Sequence, residues 1–500
     1  MDKGNTRLVV GLTAAATLGG LLFGYDTAVI SGVTSAITHN FVAPRHLTEA
    51  SANFLSGLAI SIALVGCAIG AGLAGPISTR IGRKSGLLIA GILFFFSSLG
   101  AGYPQFIWSL FGASGYHALP AFLAYRTLAG VAIGMASMLA PMYIAEVAPP
   151  QTRGMLVTFQ QIAIVVGIML VYFVNAAIQA GHTRAYLMTT AWRHMLASAA
   201  VPATLLVIAM LFVPETPRYL VLKDRDAQAL ALLKRLVGAE AAQRTLEEIK
   251  GTLVEHTRPL LSFGVLVLAV GILLSVFQQV VGINAVLYYA PHMFENMGAS
   301  TNQALWETAI FDGVAMTLFT LVATFTVDRL GRKPLLVSGA LVMAAAMILL
   351  GCLFDLHFVS AAAGQTAAAA ARGPSYLAVA AVVLYIMGFS FSWGPVVWVM
   401  LAEIFPNAIR GKALSIAVAA QWIMNFIVSL TFPMMDGSAY LNARFNHGFA
   451  YWIYGACSVL AALFVMRFVP ETKGRSLESI QELWHAHRKG GAIARAPAAE

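Results

Sequence analysis

The chain has 500 residues, of which 59% are hydrophobic and only 11% charged, with a formal net charge of +9. Soluble domains carry about a quarter charged residues, so this composition, with a mean hydropathy of +0.77, excludes a soluble globular protein and indicates a polytopic membrane protein. The basic residues sit in short segments between apolar runs, which is not a nucleic-acid footprint, and Cys67, Cys352 and Cys457 fall inside those runs, so no disulfide framework is implied.

Apolar stretches of about 20 residues, long enough to cross a bilayer, occur at 8–31, 54–78, 86–104, 119–145, 154–179, 191–213, 260–290, 303–327, 335–357, 374–402, 411–435 and 447–469. Lys3 and Arg7 precede the first run as in a signal peptide. The run is too long and lacks a small-x-small cleavage site, so it reads as a retained helix. Segments 32–53 and 358–373 read as loops on one side, the second an alanine-rich spacer. The polar stretch 214–259 divides the helices six and six, and its apolar spacing over 226–255 predicts short amphipathic helices. The expected organisation is a six-helix half (1–213), a linker (214–259), a second six-helix half (260–469) and a tail (470–500).

Arg80, Arg83, Lys84, Arg153, Arg329, Arg332, Lys333, Arg410 and Lys412 all fall on the linker's side of the spans. The positive-inside bias therefore puts both termini and the linker in the cytoplasm, as an even span count requires.

An internal repeat is legible. Arg80-Ile-Gly-Arg-Lys84 recurs as Arg329-Leu-Gly-Arg-Lys333. Glu146 with Arg153-Gly recurs as Glu403 with Arg410-Gly, and Pro214-Glu-Thr216 recurs as Pro470-Glu-Thr472. The three offsets are all about 250 residues. The halves are therefore parallel repeats related by an axis along the membrane normal, with substrate expected between them near mid-membrane. The same segments read as a charged gate: Arg83, Glu146, Arg153 and Glu215 in one half, Asp328, Arg332, Glu403, Arg410 and Glu471 in the other. Thr79 stands where the second half has Asp328, so the first gate lacks that acid. Exposed pairs contribute only about 0–1 kcal/mol each, yet a network made in one state and broken in another biases an equilibrium.

Two constellations lie within the spans. Asp26, well inside the first, is an intramembrane acid and so a functional candidate, with Arg126 in the fourth as its expected partner. In the seventh, Phe277 to Tyr289 holds Gln278, Gln279 and Asn284 around Gly282. Buried amides cost several kcal/mol, roughly, unless partnered. A helix break at Gly282 would turn all three toward one cavity. Neutral donors and acceptors beside aromatic faces suit a polyhydroxylated neutral ligand such as a sugar.

Gly20-Leu-Leu-Phe-Gly-Tyr-Asp-Thr-Ala-Val-Ile-Ser-Gly32, Pro214-Glu-Thr-Pro-Arg218, the Gln278–Tyr289 run, Gly394-Pro-Val-Val-Trp398, Glu403 to Lys412 and Pro470-Glu-Thr-Lys-Gly474 resemble the signatures of the sugar porter family of the major facilitator superfamily. The resemblance runs from about Ala16 to Trp484. It implies an all-α membrane protein of twelve transmembrane helices in two pseudo-symmetric halves. It also implies proton-coupled import of a monosaccharide by alternating access, D-xylose first and D-glucose or galactose next, in the inner (cytoplasmic) membrane of a bacterium. A uniporter and a non-transporting sugar sensor are the alternatives. A monomer in the lipid bilayer is expected, with no cofactor, metal or nucleic acid and no enzyme activity.

The resemblance also implies residue roles. Asp26 is the proton carrier of proton-coupled members. Gln161, Gln278, Gln279, Asn284, Trp398, Gln421 and Trp422 are sugar ligands. Amides exchange hydrogen bonds with hydroxyls, and indole faces stack on the ring. Phe23, Tyr288, Tyr289 and Gly394 are further candidates, although an aromatic in a span more often serves packing. Some positions depart from the family. Ala199 replaces an acid and Ile168 a glutamine of xylose-transporting members, and Met316 stands at a usual asparagine. Asp312, one turn before Met316, appears where relatives are apolar. It is expected about 13 Å into its span at 1.5 Å per residue, facing the cavity in place of the lost amide or reaching back to the surface. His39, His46, His117, His182 and His292 read as solvated.

Overall fold

A computed structural model describes residues 5–105, 115–149, 152–253, 259–356, 376–406 and 409–473, with backbone only at 153, 154, 252, 253, 325, 328, 402 and 410. Among the described residues every regular element is helical, and twelve helices are long and apolar enough to cross a membrane. They are Thr6–Arg45, Glu49–Arg80, Arg83–Gly102, Gly115–Val147, Met155–Gln179, Arg184–Phe212, Val265–Asn296, Thr301–Thr324, Arg332–Asp355, Tyr376–Leu401, Gly411–Asp436 and Phe449–Phe468, the first to twelfth spans. The linker forms the helices Pro217–Leu222, Asp226–Val237 and Ala239–Leu253. The alanine spacer and the end of the tail lie outside the described residues.

Several boundaries differ from expectation, among them the start of the sixth span, at Arg184 rather than 191. The segment 32–53 is mostly helical: 3-10, α and π turns carry the first span on to Arg45, leaving only His46 to Thr48 irregular. Ile37, Phe41 and Val42 are buried there, and Phe41 packs edge-on against Trp192, so apolar contact continues past the predicted end. The seventh span starts at Val265 rather than 260, after the positive-φ residue Gly264.

The seventh span is broken as Val265–Val280 and Ile283–Asn296. Gly282 has φ +96°, and a Cβ there would lie 2.5 Å from the Tyr454 ring. Only glycine combines that backbone with that contact. The break frees the Val281 carbonyl, which accepts from the Tyr385 hydroxyl at 2.8 Å. In hydrocarbon such a carbonyl has no water to turn to. Gly66 and Gly70 in the second span, and Gly130 and Gly134 in the fourth, each stand four residues apart, on one helix face. Cβ atoms at Gly66, Gly70, Gly130 and Gly134 would meet facing backbone carbonyls within 2.1 Å, so these helices cross in backbone contact.

The chain forms two compact units: 1–255, 285–317 and 429–438 make one, and 256–284, 318–428 and 439–500 the other. The first contains the first six spans with the far ends (opposite the basic loops) of the seventh, eighth and eleventh. Within it, Tyr172 Oη donates to the Leu287 carbonyl at 2.9 Å and Tyr289 Oη to that of Ser429 at 3.0 Å. Asn53 Nδ2 donates to the Gly437 carbonyl at 3.0 Å and Asn302 Nδ2 to that of His182 at 3.0 Å. His292, expected to be solvated, lies 3.0 Å from Asp436, because the ends of the seventh and eleventh spans pack together here.

Candidate functional site

Asp26 and Arg126 meet. Arg126 Nη1 donates to Asp26 Oδ1 at 2.6 Å, and both side chains are almost wholly buried. Arg126 Nε has no hydrogen-bond partner among the described residues. Tyr25, the residue before Asp26 in the chain, shares a hydrogen bond of 2.8 Å between its Oη and Ser198 Oγ. The sixth span, where Ala199 replaces the expected acid, therefore supplies a neutral hydroxyl to the residue adjoining Asp26.

In the second unit the amides of the seventh span form an oriented chain. Asn284 Nδ2 donates to Gln279 Oε1 at 2.5 Å, and Gln279 Nε2 donates to Gln278 Oε1 at 3.4 Å. Gln278 Nε2 then donates to the carbonyls of Trp393 and Gly394, at 2.9 and 3.3 Å. The break at Gly282 folds Asn284 back onto Gln279. The π turn Phe389–Trp393, leading into Gly394–Ile404, presents the accepting carbonyls. Among the described residues, Asn284 Oδ1 and one N–H on each of Gln279 and Asn284 meet no hydrogen-bond partner. Gln421 and Trp422 are nearly buried on the eleventh span, with Gln421 Oε1 unpaired, and Trp398 is half-buried on the tenth.

In the first unit, Gln161 and Phe23 are half-buried, and Tyr288, Met316 and Ile168 are buried. Sequence reasoning missed Gln160. It is buried against Gly20, with neither amide atom hydrogen-bonded. Its pairing with Gln161 repeats the Gln278–Gln279 doublet, which is the signal that could have found it. Asp312 is completely buried and neither carboxyl oxygen has a hydrogen-bond partner among the described residues.

The charged segments assemble the same way twice. Arg83 Nη2 donates to Glu146 Oε1 at 2.8 Å, Thr216 Oγ1 to Glu146 Oε2 at 2.6 Å, and the Arg83 and Lys84 amides to Glu215 Oε1 at 3.0 and 3.1 Å. In the other unit Arg332 Nη2 donates to Glu403 Oε1 at 2.9 Å and Thr472 Oγ1 to Glu403 Oε2 at 2.5 Å. There the Arg332 and Lys333 amides donate to Glu471, at 3.1 and 2.9 Å. Glu215 and Glu471 thus cap the N-termini of the third and ninth spans, where carboxylates meet unsatisfied N–H groups and the positive end of the helix dipole. Gly82 and Gly331, at φ +101° and +91°, open these helices. The side chains of Arg153, Asp328 and Arg410 lie outside those described.

The family described as sugar (and other) transporter matches residues 12–484. The chain is 47% identical to the D-xylose-proton symporter of Escherichia coli K12, over 97% of each chain. It is 42% identical to the glucose facilitated diffusion protein of Zymomonas mobilis, over 97% of this chain and all of that one. The inward-open structure of the xylose transporter XylE from E. coli superposes with a TM-score of 0.83 at 45% identity, covering 95% of this chain and all of that one. With its twelve spans, repeated charged motifs and buried Asp26–Arg126 pair, the chain belongs to the sugar transporters of the major facilitator superfamily.

Proposed function

We propose that this protein imports a monosaccharide together with protons, D-xylose being the first candidate and D-glucose and D-galactose the next. The observation that carries the reading is the buried Asp26–Arg126 ion pair. An acid inside a span is costly, and it persists where it moves charge. Protonating Asp26 discharges the pair, releases Arg126 and biases the chain between its states. Sugar hydroxyls are received by Gln161, Gln278, Gln279, Asn284 and Gln421, with Trp398, Trp422, Phe23 and Tyr288 as apolar walls beside Gly394 and Met316. The amide chain from Asn284 to the Gly394 carbonyl supports this set, because its orientation is fixed before ligand arrives and little ordering remains for binding. The protein is a secondary transporter rather than an enzyme.

The six-helix repeats 1–213 and 260–469, joined by the linker 214–259 and followed by the tail 470–500, alternate the access of this site. Arg83, Glu146, Arg153 and Glu215, and Asp328, Arg332, Glu403, Arg410 and Glu471, form networks that hold the basic ends together in one state and release them in the other. The positive charge on those ends supports a cytoplasmic location for them and for both termini, in a monomer within the bacterial inner membrane.

Vesicles containing the protein test the reading. D-xylose added to them alkalinises the medium, and Asp26→Asn abolishes that signal while sugar exchange continues. Sugar flux with no proton movement in the wild type would instead support facilitated diffusion, a reading favoured by the 42% identity to the glucose facilitated diffusion protein.

A further inference from the structure

Asp312 occupies a π turn, Thr308–Val314, in the eighth span. Such turns are uncommon and concentrate at functional positions. It is 0% exposed, and neither Oδ1 nor Oδ2 is hydrogen-bonded to any described residue. Asp26, almost as deeply buried, has Arg126 at 2.6 Å. An ionised carboxylate buried without hydrogen bonds or a counter-charge is among the least favourable groups a fold can hold, whereas the neutral acid forfeits only its hydrogen bonds. Among the described residues no Lys, Arg or His acts on Asp312.

The turn packs against the fifth span and the helix Thr301–Glu307. The next residue, Gly313, sits where a Cβ would be 3.2 Å from Met169 Cα and 3.2 Å from the Tyr172 ring. The titratable group facing Asp312 from the fifth span is Tyr172, itself beside Tyr288 of the seventh. On its own span Glu307 lies five residues nearer the far end and accepts from Gln303 at 2.8 Å. Further along the seventh span, His292 pairs with Asp436, and Glu295 with Arg184 and Thr301. None of these supplies a counter-charge to Asp312. The surrounding contacts hold three spans together. Tyr172 donates to Leu287 of the seventh, and Thr317 of the eighth to Val165 of the fifth, at 3.4 Å.

We propose that Asp312 is a second proton-binding site, whose protonation is linked to closure of the fifth, seventh and eighth spans at their far ends. When these spans part, water reaches the carboxyl, which ionises and returns its proton to that side. When they close, the carboxylate takes a proton from the same side and is buried as the neutral acid. Because the proton enters and leaves on one side, Asp312 adds nothing to the protons moved per sugar. Acid on that side favours closure and alkali opposes it, by up to about tenfold per pH unit once the open form is ionised. This rests on the transport cycle proposed above, with Asp26 as the coupling carrier.

Two measurements on the full chain test it. Infrared spectra of the Asp26→Asn protein are expected to show a carboxylic-acid C=O band that is lost in Asp26→Asn/Asp312→Asn. That readout needs no sugar, so it stands or falls apart from the transport reading. In proteoliposomes, D-xylose exchange is expected to fall with external pH in the wild type and to be several-fold flatter in Asp312→Asn, with the proton-to-sugar ratio unchanged. Absence of the band, an unchanged pH profile, a lowered proton-to-sugar ratio, or a uniform loss of sugar affinity at every pH each overturns the proposal, the last making Asp312 a sugar ligand instead.

Discussion

The Tyr172 hydroxyl donates to the Leu287 carbonyl at 2.9 Å, and that carbonyl is free because Pro291, four residues on, has no N–H. The same device recurs in the eleventh span, where Pro433 frees the Ser429 carbonyl and Tyr289 Oη supplies it at 3.0 Å. Two prolines open two helices near their far ends, and two tyrosines close the gaps from neighbouring spans. Tyr289 is thus a hydrogen-bonding clasp in this state, in line with the general tendency of span aromatics to pack.

Tyr172→Phe leaves the Leu287 carbonyl unsatisfied in apolar surroundings, at a cost of roughly 1–3 kcal/mol. In Pro291→Ala the residue-291 amide can serve that carbonyl, and Tyr172→Phe is expected to cost much less. A double-mutant cycle of melting temperatures in detergent measures the coupling. Strictly additive effects would mean that the phenol's hydrogen bond does not depend on the missing N–H of Pro291.

Arg126→Ala leaves Asp26 buried and uncompensated, and destabilises by about 3–5 kcal/mol. Adding Asp26→Asn removes the orphaned charge and restores much of the loss. Thermal melts of the two single variants and the double decide it. A double variant no more stable than Arg126→Ala would show that packing, not charge, makes Arg126 necessary.

Gly82→Ala and Gly331→Ala should differ in severity. A Cβ at Gly82 would lie 2.1 Å from Glu215 Oε2, whereas one at Gly331 would be 2.9 Å from Glu471 Oε2. Both positions carry the strain of a backbone region nearly confined to glycine, roughly 1–3 kcal/mol for another residue, and the first must displace its capping carboxylate further than the second. The larger fall in melting temperature is therefore expected for Gly82→Ala; equal falls would locate the whole effect in the backbone.

Gln278→Ala removes the amide that ties the chain to the Trp393 and Gly394 carbonyls and leaves Gln279 and Asn284 unanchored. Sugar affinity is expected to fall at least tenfold, about 1.4 kcal/mol, with melting temperature changed little. Titration calorimetry with D-xylose reads the first quantity and a melt the second. A large loss of stability with unchanged affinity would make Gln278 a helix-to-helix tie rather than part of a sugar site.

The chain's own residues determined the membrane class, the twelve spans, the six-and-six repeat and the break at Gly282, because each depends on local chemistry: apolar run length, charge between runs, and a glycine where amides and aromatics crowd. The pairing of Asp26 with Arg126 was also legible, since two opposite charges in hydrocarbon have few other places to go. Tertiary structure alone decided where polar groups in the spans found partners. Nothing in a one-dimensional pattern says that Glu215 and Glu471 meet backbone amides, that the Leu287 and Ser429 carbonyls are served by tyrosines from other segments, or that His292 reaches Asp436. The continuation of the first span to Arg45 was hidden for the same reason. Its turns are irregular, and they are held by burial against residues such as Trp192, about 150 positions away. Sequence likewise left Asp312 between cavity and surface. Only packing took its carboxyl away from the solvent surface and from the charges of the described residues, because burial belongs to the assembled helices and not to the residue.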